Sequence, residues 1–167
     1  KLAGEQALKA AMPMNALIIR TSWVYSEYGN NFVSTMLKLG KEQGELSVVI
    51  DQAGSPTYAT DLAQLILSIV KTKGLSKKRQ ATEIYHYSNH GVISWYDFAK
   101  QIFKIAEIDC KVNKIKSEQF PTLAKRPKNA SLFDSKVIET FGVAGFFWKG
   151  SLGRCLMQIK DGLKNSN

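Results

Sequence analysis

At 167 residues the chain is long enough for one domain with a sizeable core, and its 44% hydrophobic and 22% charged residues are ordinary for a globular protein. No apolar run approaches the roughly 20 residues of a membrane span, and the charged opening lacks the basic patch and apolar core of a secretory signal. The net charge of +9 favours anionic partners such as nucleic acid, a membrane surface or phosphorylated small molecules. The lysines are dispersed, however. The densest group, Lys71, Lys73, Lys77, Lys78 and Arg79, reads as a solvated loop around Gly74 and Ser76. There is no basic helix with interleaved aromatics and no nucleic-acid motif. Cys110 and Cys155 have no CxxC spacing and no nearby His pair. They read as two buried free thiols of a cytosolic protein, not as a zinc site or a disulfide framework.

In chain order, Lys1 to Ala11 reads as a helix of good helix formers, with an apolar stripe of Leu2, Ala3, Ala7, Ala10 and Ala11. Met12-Pro13 ends it. Ala16 to Ile19 reads as a buried strand running into the loop Arg20-Thr21-Ser22-Trp23-Val24-Tyr25. Asn30 or Asn31 can cap a helix through about Gln43, with Phe32, Met36, Leu37 and Leu39 on its apolar face. Leu46 to Ile50 is a further strand, and Asp51 to Thr57 is turn chemistry throughout, with Asp51 and Gln52 as turn-formers. Thr60 or Asp61 starts an apolar helix, Asp61 as its cap. Glu83 to Ser88 is a strand, Asn89-His90-Gly91 a turn, and Ser94 caps a helix from Trp95 to Glu107. Lys111 to Ile115 alternates like a strand, and Glu118 to Lys128 is mostly loop. A short helix ending near Phe141-Gly142 and an amphipathic helix from Phe147 to Leu163 complete the chain. Helices alternating with strands define an α/β fold in a single unit, 1–167, without repeats or linkers. His86 and His90 have no partner pattern for a metal or a triad.

Four segments occur in one order: Lys1-Leu2-Ala3-Gly4-Glu5, Arg20 to Tyr25, Val49 to Thr57 followed by Ala59-Thr60-Asp61-Leu62-Ala63, and Arg126-Pro127-Lys128-Asn129-Ala130-Ser131-Leu132. Together they resemble the dTDP-4-dehydrorhamnose reductase family of extended short-chain dehydrogenases over nearly the whole chain. The Asp-Gln-x-Gly-Ser-Pro-Thr and Arg-Pro-x-x-Ser-x-Leu stretches carry most of the specificity. The resemblance implies the C-terminal part of a Rossmann-like NAD(P)-binding fold with a small α/β substrate-binding lobe. It implies reduction of dTDP-4-dehydro-L-rhamnose to dTDP-L-rhamnose with NADPH or NADH, in the cytoplasm, for surface polysaccharide synthesis. The Gly-rich turn, the ribose-reading residue and the catalytic Tyr of that family are expected upstream of Lys1, and the chain alone is expected to be inactive.

On the same resemblance Lys1 is the lysine of a Tyr-x-x-x-Lys pair. Residues four apart share a helix face, and an ammonium there lowers the phenol's pKa so that it can exchange protons near neutral pH. Lys1 would also hydrogen-bond the nicotinamide ribose, with Thr21 and Ser22 near the nicotinamide through their backbones. Trp23 follows a strand where open sheets present residues to ligands, and its flat indole suits a deoxysugar. Arg126 is the candidate for the substrate's diphosphate, and Asn31 for its sugar or phosphate, if it is not simply a helix cap. No acidic cluster argues for the magnesium that some members hold at a dimer interface, although a homodimer is compatible with the family. Other readings remain. One is a non-catalytic relative resembling the regulatory subunit of methionine adenosyltransferase. Another is a different nucleotide-sugar reductase or epimerase. Nucleic-acid binding rests on charge alone.

Overall fold

In the computed structural model of the chain the described residues are 1–71, 80–120, 122, 124, 126–143 and 145–164. The lysine-rich loop after Lys71 lies outside them. The elements are α1 (Leu2–Ala11), β1 (Leu17–Arg20), β2 (Val24–Tyr25), α2 (Phe32–Glu42), β3 (Glu45–Val49), β4 (Ala53–Gly54), β5 (Thr57–Tyr58) and α3 (Ala59–Lys71). There follow β6 (Glu83–His86), β7 (Ile93–Ser94), α4 (Trp95–Ala106), β8 (Lys111–Ile115), a single 3₁₀ turn (Ser117–Gln119), β9 (Asn129–Ala130), α5 (Ser135–Phe141) and α6 (Trp148–Lys164). The α/β reading holds, with parallel pairing in three of the four small sheets and in part of the fourth.

Two layers organise the chain. In the first, β1 and β6 pair in parallel from Leu17 opposite Glu83 to Arg20 opposite His86. Leu65 and Ile69 of α3 pack there with Tyr85, Tyr87 and Val137 of α5. In the second, β3 and β8 pair in parallel, and α2, α4 and α6 share one core that includes Val33, Met36, Val48, Phe98, Ile102 and Leu152. Helices α2 and α4 cross closely because residue 40 is glycine: a Cβ there would lie 2.4 Å from the Phe103 ring.

Four sequence expectations change. Asp61 does not cap α3. It sits inside the first turn, 1% exposed, and its carboxylate accepts hydrogen bonds from Asn89 Nδ2 at 2.7 Å, from Ser151 Oγ at 2.5 Å and from Arg154. Asn89, read simply as part of a turn, is fully buried, and its Oδ1 accepts the Tyr58 N–H at 2.7 Å. A carboxylate out of water needs several donors, and these come from residues too distant in sequence for local pattern to reveal. Cys155 is buried, which pushes its thiol up to about 12, but Cys110 is only half-buried. Finally, α1 buries none of its residues, and Leu2 is 64% exposed.

Candidate functional site

The stretch Asp51 to Thr57 is more than a turn, because Ala53-Gly54 is the middle strand of a three-stranded sheet ordered β7-β4-β9. Ala53 pairs with Ser94 on the antiparallel side and with Asn129 on the parallel side, and its N–H donates to the Lys128 carbonyl at 2.8 Å. This small sheet gathers the site. Immediately after β7 stands Trp95, and the Arg126-Pro127-Lys128 loop leads directly into β9. Asp51 and Gln52 are anchored to the far side of the chain: the Ser117 N–H and hydroxyl donate to Asp51 Oδ1 at 2.9 and 2.7 Å, and Gln52 Nε2 donates to Ser117 Oγ at 3.0 Å. The Ser117 hydroxyl is the main reason the Asp51 carboxyl lies below its ordinary value.

Trp23 is held on several sides. Its backbone has φ +47°, in the left-handed region that bulky residues avoid. The Thr57 N–H donates to its carbonyl at 3.1 Å. Its indole lies flat on that of Trp95, with ring centroids 3.5 Å apart and planes inclined by 11°. Gly54 packs so closely that a Cβ there would lie 2.6 Å from the Trp23 ring. Glycine is therefore required at residue 54 by close approach to the ring.

Beyond Trp95 opens a cleft of about 470 Å³. Its walls are mainly apolar, with Phe32, Met36, Leu39, Trp95 and Phe120 among them, and Gln52 and Arg126 add polar groups. Phe32 and Trp95 are each the first residue of a helix, just behind the caps Asn31 and Ser94. The Ser94 hydroxyl accepts the Asp97 N–H at 3.0 Å and donates to the Asp97 carboxylate at 2.6 Å, fixing the start of α4. An apolar slot of this size with few polar groups suits one flat ring system attached to an anion.

At the other end of Trp23 lie the residues read as cofactor-facing. Arg20 grips Glu5 through Nε at 2.9 Å and one terminal nitrogen at 2.6 Å. This fork ties the first turn of α1 to Arg20, the last residue of β1; the exposed Lys1 precedes that turn, and Thr21 and Ser22 follow Arg20. Thr21 Oγ1 donates to Thr57 Oγ1 at 3.1 Å, and Ser22 Oγ donates to the Ser55 carbonyl at 2.9 Å. Both side chains are thus spent on holding the loop.

The Asn31 amide is spent as well. Its Oδ1 accepts the Val33 and Ser34 N–H groups, and its Nδ2 donates to the Ser26 and Tyr28 carbonyls. The structure shows it as the cap of α2. Burial raises the phenols of Tyr25, Tyr58 and Tyr87 above their ordinary value, the direction opposite to that of a proton donor working near neutral pH. His90 Nε2 lies 2.8 Å from the Asp134 carboxylate, clipping the 89–91 loop to the start of α5. Among the described residues no three His, Cys, Asp or Glu side chains form a metal-sized cluster, and no helix is long and apolar enough to cross a membrane.

Sequence reasoning singled out Trp23 and Arg126 but missed the cleft between them, with Trp95, Phe32, Phe120 and Gln52. A usable signal was an aromatic residue immediately after each of two helix caps.

A parallel strand pair whose carboxyl ends present the candidate residues, joined to a small helix-rich lobe, is the arrangement of the C-terminal part of Rossmann-like NAD(P)-binding reductases. Residues 1–160 match the family model described as the RmlD substrate binding domain, and the chain belongs to that family. It is 41% identical over 158 residues to the dTDP-4-dehydrorhamnose reductase of Aggregatibacter actinomycetemcomitans, covering 91% of this chain and 53% of that protein. A dTDP-4-dehydrorhamnose reductase from Clostridium acetobutylicum superimposes with a TM-score of 0.85 at 40% identity, over 96% of this chain and 54% of the other. The Bacillus anthracis dTDP-4-dehydrorhamnose reductase, solved in complex with NADP, gives 0.82 at 38% identity, over 95% and 53%. The chain spans about half the length of these relatives.

Proposed function

We propose that these residues form the sugar-nucleotide-binding half, with the last part of the dinucleotide-binding fold, of a longer polypeptide that reduces dTDP-4-dehydro-L-rhamnose to dTDP-L-rhamnose. The observation that carries the reading is the continuity from Arg126, through the apolar cleft and Trp95, to Trp23 and the carboxyl end of β1. In this reading the cleft takes the thymine ring among Phe32, Trp95 and Phe120. Arg126 binds the diphosphate, with its guanidinium matched to phosphate oxygens. Trp23 gives the deoxysugar an apolar wall and one N–H donor. The Asn31 amide, fully used in its cap, has no part in it.

In this reading Lys1, Thr21 and Ser22 face a nicotinamide cofactor, NADPH or NADH. Thr21 and Ser22 follow the carboxyl end of β1, where such sheets take their ligand, and the Glu5–Arg20 fork that ties α1 to that end supports the placing of Lys1. When bound, that cofactor supplies the hydride. Lys1 holds the nicotinamide ribose and keeps acidic a tyrosine one helical turn before it. That phenol donates the proton to the alcohol oxygen, a role for which Tyr25, Tyr58 and Tyr87 are all shifted the wrong way. The chain's contribution is orientation of the 4-keto carbon against the cofactor. Full-length protein mixed with dTDP-4-dehydro-L-rhamnose and NADPH should consume the nicotinamide absorbance, and the Lys1→Met variant should lose nearly all of that rate. No consumption above background with either cofactor would remove the reading.

A further inference from the structure

Trp95 belongs to two places at once. One part of its surface is a wall of the cleft, and its ring face covers Trp23. The stack is a nearly parallel sandwich with centroids only 3.5 Å apart, whereas ring quadrupoles favour offset or edge-on pairs at about 4.5–7 Å. Mutual ring attraction therefore does not set this geometry. The surroundings do: Gly54 abuts the Trp23 ring, the Trp23 backbone is held at φ +47°, Phe32 leans on Trp95 with centroids 4.5 Å apart, and the Ser94 cap fixes the start of α4. The two rings are in direct van der Waals contact, and close-packed groups transmit displacement, so a ring that enters the cleft and presses on Trp95 also presses on Trp23. Because Gly54 closes the other approach to Trp23, the movement passes into the orientation of the Trp23 indole.

We infer that Trp95 is a positioning residue that couples the two ends of the site, so that a nucleotide seated in the cleft reorients Trp23 even when it carries no sugar. This rests on the proposed assignment of the cleft to the nucleotide and of Trp23 to the sugar. It gives the nucleotide a part in the chemical step, since binding energy from the non-reacting end of the substrate is used to align the reacting end.

Two stacked indoles give an exciton couplet in circular dichroism, and the signal of Trp148 and of any tryptophan outside these 167 residues is removed by difference against Trp23→Phe and Trp95→Phe variants. The probe is dTDP, which has no sugar at its diphosphate, titrated into full-length protein while calorimetry reports binding independently. The expected result is that dTDP changes the couplet of the wild type with the same midpoint as the heat. In Trp95→Leu the expected result is that dTDP still binds, that Trp23 emission no longer responds, and that kcat falls by about tenfold to a hundredfold, the loss expected when reacting groups are misplaced by about 1 Å. Trp95→Phe, which keeps a flat ring, should recover most of kcat. If dTDP binds by heat and the couplet does not change, the coupling is wrong. It is equally wrong if Trp95→Leu and Trp95→Phe both keep wild-type kcat. Absence of dTDP binding in the wild type would overturn the cleft assignment itself, and the coupling with it.

Discussion

Around β3 and β8 the helices α2, α4 and α6 are spent on one shared core, and their buried faces meet side by side. Around β1 and β6 the layer is thinner. Helix α1 buries nothing, and the outer face of α3 leaves Ile66, Leu67 and Val70 at 43%, 56% and 50% exposure. The β3–β8 layer has a large shared core. The β1–β6 layer has apolar surface of the kind that another layer of chain normally covers, and the relatives are about twice as long. In the proposed reading, recognition of the nucleotide is built on the layer with the larger core, while the residues proposed to face the cofactor stand on a layer that the longer polypeptide would complete.

The seam between the two layers is the sharpest place to break this picture. Asp61 of α3 is tied to Ser151 and Arg154 of α6 and to Asn89. Asp61→Ala strands those donors, and a loss of about 3–5 kcal/mol is expected, as for other broken buried pairs, read by chemical denaturation. Gly54→Ala comes next. Its Cβ must displace the Trp23 ring, so about 1–3 kcal/mol of overpacking is expected, with a loss of turnover in the full-length protein. Gly40→Ala should cost a similar amount through Phe103 while leaving the KM for the sugar nucleotide unchanged. Ser94→Ala, which removes the cap of α4, should cost about 1 kcal/mol. On the open face, Leu67→Glu should stay within about 0.5 kcal/mol in the 167-residue chain and cost clearly more in the full-length protein. Equal effects in both would show that this face is uncovered in each.

The Glu5–Arg20 fork gives a pH signature. The hydrogen bond from Arg20 is the main reason the Glu5 carboxyl lies below its ordinary value. A value lower in the folded than in the unfolded state means that the fork's contribution is complete above the ordinary glutamate range and is lost as pH falls through the folded value. The Glu5 carboxyl carbon resonance should therefore titrate lower than that of an exposed glutamate, and Arg20→Gln should return it to the ordinary range.

Most elements were legible because their signals are local. Asn31 and Ser94 announce their helices, the alternation at Lys111 to Ile115 announces β8, and the Gly142 turn ends α5. The two-residue strands were not legible. β4 is defined by partners at Ser94 and Asn129, and two residues carry no periodicity. Asp61 was misread for the same reason, since nothing near it in sequence announces Arg154. Of the cleft's lining, Arg126 was visible as part of a motif, whereas Trp95 and Phe120 reach the cleft only through tertiary packing.

The assignment of the cleft is tested most directly by comparing dTDP with thymidine on wild-type and Arg126→Met full-length protein, by calorimetry. A charge-assisted hydrogen bond to phosphate is worth about 1.5–3 kcal/mol. The account predicts that Arg126→Met weakens dTDP at least tenfold and leaves thymidine affinity where it was. An unchanged dTDP affinity in that variant would contradict it.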